Sequence, residues 1–171
     1  HAPPDNLPHL LLEAFHEQER LRHRLRTRHF IEREKLVLSA EQEIMRVHGN
    51  AARASANQST PYSVCSILRD QEIYNMPDLQ GEEDAKNIRT RFNGRQFFSW
   101  LRDVDDKYAK LKEELIQRQE HEIASLYAVQ KMEWECKLKD LRLYDGKNPP
   151  LVSKDHVPIV EIKKEFDLLP A

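Results

Sequence analysis

The chain is short of the residues that punctuate small folds. Only 4 glycines occur in 171 residues, too few for the repeated tight turns of an all-β domain. None of the phosphate-cradling patterns GxxxxGK[ST] and GxGxxG is present, nor the nucleophile turn GxSxG, so nothing points to a nucleotide-binding enzyme or a serine hydrolase. The two cysteines, Cys65 and Cys136, stand alone without CxxC spacing, which indicates neither a disulfide framework nor a zinc site. No apolar run approaches the ~20 residues of a membrane-spanning helix, and the opening HAPPDNLPHL lacks a signal-peptide pattern. Charge of one sign is missing too: 29 acidic side chains meet 27 basic ones, leaving no overall field for nucleic acid or an anionic membrane. These absences predict a soluble, intracellular protein in a reducing compartment, with no membrane partner and Asn57-Gln58-Ser59 as an ordinary polar loop.

What is present favours helices. Hydrophobic residues make up 39% and charged residues 33%, which fits one folded domain over 1–171 built from long charged helices. Residues 8–57 read as one helix: after Pro8 there is no proline, and Leu, Glu, Arg, Gln and Ala dominate. Its seams are Leu7, Leu11, Ala14, Leu21 and Leu25, then Phe30, Val37, Ile44 and Ala51 with Ala40, Val47 and Ala54. The two differ in phase, which predicts a stutter or a change of partner near Arg26 to His29. Residues 58–82 read as a turn, a short helix from Pro61 to about Ile73 capped by Thr60, and an exposed loop. Residues 83–144 read as a second long helix, stopped by Asp145 to Pro150. The tail, 145–171, is apolar and β-branched around Val157 to Ile162, an extended segment laid on the helices with room for one short strand.

Two long helices around a short connection fold back antiparallel. If facing residues have numbers summing to about 145, Phe30 meets Leu115, Val37 meets Tyr108, Ile44 meets Leu101 and Ala51 meets Gly94. The same register sets Arg20, Arg22, Arg24, Arg26 and Arg28 beside Glu113, Glu114, Glu120 and Glu122. A ~50-residue helix is about 75 Å long, against a radius of gyration of about 15 Å for a compact domain of this size. The expected fold is therefore all-α: an elongated antiparallel bundle of two long helices with a short middle helix and an extended C-terminal tail. Uncovered faces predict a homodimer.

Candidate chemistry is sparse. His9, His16 and His23 lie seven apart, about 10 Å along a helix, too far to share one ion. Asp103, Asp105 and Asp106 lack the glycine and distal glutamate of a calcium loop; they read as a solvated face or as partners of Arg102 and Lys107. Cys65 sits among apolar residues with no base beside it. No catalytic residue, cofactor or metal is expected, and the chain is not expected to be an enzyme. The basic patch Arg20, Arg22, Arg24, Arg26 and Arg28 could bind phosphate backbones, the alternative function, but arginines two apart scatter around a helix rather than form a stripe. The predicted interface is Phe30, Val37, Ile44, Phe97, Phe98, Trp100, Leu101, Tyr108, Leu115 and Trp134. Phe97, Phe98 and Trp100 cannot all face one seam, so at least one addresses a third element, a second subunit or a ligand.

Four strings go further than periodicity: EIYNMP at 72–77, RFNGRQF at 91–97, SWLRDVDDKY at 99–108 and AVQKMEW at 128–134. Together with the stretch around Ala40 to Ala56 and the final LLPA, they resemble the C-terminal region of the ankyrin-repeat-containing cofactors, large nuclear proteins with ankyrin repeats far upstream. The resemblance covers most of the chain and implies a nuclear, non-enzymatic regulator of corepressor type whose partners are transcriptional coregulator proteins. The ankyrin repeats themselves are absent here, and contacts belonging to them do not transfer.

Overall fold

The computed structural model describes residues 1–56, 79–143 and 152–171, without the side chains of 79–91. The described part is all-α: helix α1, His9–Ala56, and helix α2, Leu79–Asp140, with no strand among the described residues. The middle helix expected over 61–73, and Cys65 within it, lie outside the described residues.

Both helices follow from composition, since neither contains proline. At the start of α1 the Leu12 N–H donates to the Pro8 carbonyl (2.9 Å), and Asn6 takes up the left-handed backbone (φ 66°) just before it, a conformation asparagine tolerates well. Helix α2 corrects the expected 83–144 at both ends. It starts at Leu79, so Gly81 and Glu82 belong to it rather than to a loop. It ends at Asp140 because Arg142 turns left-handed (φ 53°). Arg142 N–H then donates to Lys139 (3.0 Å) and Leu143 N–H to Leu138 (3.1 Å). This is a Schellman closure with arginine where glycine is usual, so the expected stop signal at 145–150 comes too late.

The chain divides into two compact units. The first combines His1–Leu36 with Lys110–Asp167. Its helical segments run antiparallel, Gln18 facing Gln130 and His29 facing Gln119 and Glu122. One apolar cluster joins Leu11, Ala14, Phe15, Trp134 and Val157; a second joins Leu25, Ile123 and Val160. Val157 and Val160 come from the tail, which therefore forms a third layer of this unit. Ser153 starts that layer with a turn, its carbonyl accepting from His156 and Val157 N–H (both 3.2 Å), and His156 stacks on Trp134 at 5.5 Å. The described part of the tail, 152–171, contains no strand.

The second unit combines Val37–Ala109 with Leu168–Ala171. It is antiparallel as well: Tyr108 Oη donates to the Ser39 carbonyl (3.1 Å) and to Glu43 (2.8 Å), and the Phe97 ring meets His48 edge-on at 5.1 Å. Among the described residues Ala40, Val104 and Tyr108 are its buried ones.

The expected register needs correction. His48 opposite Phe97 matches a sum of 145, whereas Gln18 opposite Gln130 gives 148 and Glu43 opposite Lys107 gives 150. The buried positions place the offset at 148. Gln18, His29 and Ala40 are buried eleven residues apart on α1, as are Tyr108, Gln119 and Gln130 on α2. An eleven-residue repeat, 3.67 residues per turn, tracks a nearly straight helix, where a seven-residue reading drifts. At the expected stutter the seam passes from Leu25 to His29, so Phe30 is not packed against Leu115 but stands 56% exposed.

Candidate protein-interaction surface

The predicted interface residues fall in both units. In the first unit Trp134 is 1% exposed, Leu115 is half-buried and Phe30 is exposed. In the second, Tyr108 is buried while Val37, Ile44, Phe97, Trp100 and Leu101 are half-buried along the seam. Phe98 points outward, 69% exposed, and so does Phe92, 65%. The expectation that one of Phe97, Phe98 and Trp100 looks away from the seam therefore falls on Phe98. A groove of about 390 Å³ opens where His48, Ala51, Ala54, Gly94, Phe97 and Trp100 approach one another. Gly94 and Ala51 share it as expected, but a Cβ added at Gly94 would meet nothing within 4 Å. The glycine is not a point of close approach.

The basic patch is largely spent inside its own unit. Arg20 pairs with Glu17 (3.0 Å). Arg22, 1% exposed, donates Nε to Glu19 (2.7 Å) and Nη1 to the Gln130 amide oxygen (2.9 Å). Arg26 donates to Glu19 (2.6 Å) and Arg28 to Glu122 (2.7 Å). Only Arg24 of the five has no such partner among the described residues. The expected pairing with α2 acids thus holds for Arg28 alone: Arg20, Arg22 and Arg26 use acids of α1, and Glu120 pairs with Lys164 of the tail (2.5 Å). Lys107 likewise pairs with Glu43 (2.9 Å), not with its acidic neighbours.

These contacts belong to a buried polar seam that sequence reasoning missed. Gln18 and Gln130 each donate Nε2 to the other's backbone carbonyl, both at 3.0 Å. Gln119 donates to the His29 carbonyl (3.2 Å) and to Glu32 (3.0 Å), and His29 Nε2 lies 2.8 Å from the Glu122 carboxylate. Glutamine and arginine read as surface residues in a pattern of apolar positions; the eleven-residue spacing of Gln119 and Gln130 was the available sign. Burial alone would push the Glu19 carboxyl up, but hydrogen bonds from Arg26, the terminal ammonium and Arg22 outweigh it and hold the pKa at about 2. Glu122 is likewise lowered: burial opposes, and hydrogen bonds from His29 and Arg28 win. In the second unit hydrogen bonds from Lys107 and Tyr108 lower Glu43, while burial and that same carboxylate raise the Tyr108 phenol.

Chemically the arrangement can bind and orient; its charged groups are engaged with one another. No group of three His, Cys, Asp or Glu side chains among the described residues is placed to hold a metal ion, and no described helix is long and apolar enough to cross a membrane. No family model matches the chain, and no solved structure matches it.

Proposed function

We propose that the chain is a non-enzymatic, dimerising protein-interaction domain of a nuclear transcriptional cofactor, a corepressor-type scaffold of the ankyrin-repeat-containing cofactor kind, with transcriptional coregulators as partners. The strings at 72–77, 91–97, 99–108 and 128–134 support the family. One observation carries the interaction reading: within RFNGRQFFSW, Phe92 and Phe98 stay 65% and 69% exposed while Phe97 and Trp100 beside them find cover. Large aromatics left in water are characteristic of surfaces that a protein partner covers. The nucleic-acid alternative gains nothing from arginines whose charge is already balanced by Glu17, Glu19 and Glu122.

The test is capture from nuclear extract on the immobilised chain, read as deacetylase activity retained on the support. The wild-type chain should retain it, and the Phe92→Ala/Phe98→Ala double variant, with unchanged helicity, should lose most of it. No retention by wild type, or equal retention by both, overturns the reading.

A further inference from the structure

The exposed Phe98 has an arginine one turn to either side of it on α2: Arg95 three positions before and Arg102 four after. That spacing puts all three on one helical face. Both arginines are exposed, and neither makes a hydrogen bond or ion pair with another described residue. No acid stands close by in sequence to neutralise them. Helix α2 carries none from 92 to 102, and α1, whose His48 meets Phe97, carries none from 44 to 56. In a chain whose acids outnumber its bases, 29 to 27, this end of the second unit is a local excess of positive charge. An apolar ring sits in its middle, between two cations not spent on the chain itself.

We infer that this face receives an acidic amphipathic segment of a partner protein. An aliphatic or aromatic side chain of that segment seats on the Phe98 ring, and carboxylates one turn before and after it pair with Arg95 and Arg102. Arginine suits the task because its planar fork takes a carboxylate through two parallel hydrogen bonds. Seven residues of helix span about 10 Å, so a partner helix meets both arginines with acids two turns apart. The assignment rests on the interaction reading above and gives its partner a chemistry. Nucleic acid fits the same face less well. The basic stretch ends at Asp103, Asp105 and Asp106, all exposed, where a continuing phosphate backbone is repelled. Phe92 lies six residues from Phe98, about 120° round the helix, so the two rings make no continuous stacking platform.

Fluorescence titration of the full 171-residue chain into a labelled synthetic helical peptide tests it, the peptide carrying on one face a leucine with glutamate one turn to either side. Wild type should bind this peptide about tenfold more tightly than its glutamine counterpart. The preference should fade as salt rises from about 50 mM to about 500 mM, and Phe98→Ala should weaken binding of both peptides. Arg95→Glu/Arg102→Glu, with wild-type circular dichroism, should reject the glutamate peptide and take the lysine counterpart instead, a reversal that a misfolded variant would not show. Equal binding of the glutamate and glutamine peptides, or unchanged binding by the charge-reversed variant, overturns the inference. So does displacement of the peptide by a lower concentration of a single-stranded oligonucleotide, which gives the face to nucleic acid. Deacetylase retention that is lost with Phe92 and Phe98 but survives the charge reversal overturns this partner chemistry alone. No retention by wild type, beside an intact peptide preference, overturns the corepressor-type reading alone.

Discussion

The two units use the same two helices in different ways. In the unit of His1–Leu36 and Lys110–Asp167, apolar clusters alternate along the seam with buried hydrogen-bonded side chains, and a tail layer closes over them. Trp134 and Val157 are almost wholly removed from water there. In the unit of Val37–Ala109 and Leu168–Ala171, alanines and Gly94 line an open groove, Trp100 is only half-buried, and Phe92 and Phe98 face solvent. The difference teaches that the first unit covers its apolar clusters with a layer from the tail, whereas in the second, among the described residues, Phe92 and Phe98 stay exposed beside a half-buried Trp100.

Matched tryptophan truncations probe that contrast most strongly. Trp134→Ala empties a fully buried site shared with Leu11, Phe15 and Val157, so chemical denaturation should show a loss of about 3–5 kcal/mol. Trp100→Ala removes a side chain that already borders open space and should cost well under half as much; equal losses would erase the distinction.

Acid should reach the polar seam next. The Glu19 and Glu122 carboxyls are held below their ordinary value in the folded chain. A depressed folded pKa contributes stability that is present above the unfolded value, about 4.5, and is lost as pH falls toward the folded one. For Glu19, whose folded pKa is about 2, the loss should fall between about pH 4.5 and 2 and amount to something on the order of 2 kcal/mol. Melting temperature followed against pH should show this acid limb in wild type and a flatter one in Glu19→Gln. An unchanged limb in that variant would mean that the Glu19 cluster adds little.

The smallest effect isolates the reciprocal glutamines. Gln130→Leu leaves the Gln18 backbone carbonyl without the side-chain donor that caps it and the Arg22 Nη1 without its acceptor, so it should cost about 1–3 kcal/mol. Adding Gln18→Leu should recover part of the loss, because two apolar side chains then meet. A double variant destabilised by the full sum of the singles would show that the two glutamines act independently.

Much of the fold was legible in the sequence, though not in detail. The proline-free stretches announced α1 and α2, and the β-branched tail announced a segment that packs. The end of α2 was not legible, because Arg142 takes a left-handed turn that composition assigns to glycine. Nor was the register: the expected offset of 145 came from apolar residues alone, whereas Gln18 faces Gln130 and His29 faces Gln119, both at 148. Of the candidate surface, Phe97, Phe98 and Trp100 were visibly too many for one seam, but that Phe98 is the one left out came only from the structure. Gln18, Arg22, Gln119 and Gln130 were invisible as interior residues, since their side chains are buried only when a partner across the seam accepts and donates for them.

The sequence by itself determined two long helices, the apolar character of the tail and the excess of aromatics in RFNGRQFFSW, because helix propensity and the hydrophobic count are local quantities. Tertiary structure alone decided which arginines are neutralised, which glutamines lie inside and which phenylalanines remain in water. Those outcomes depend on what stands opposite each residue, and a one-residue turn of a helix against its neighbour rotates every side chain by 100°.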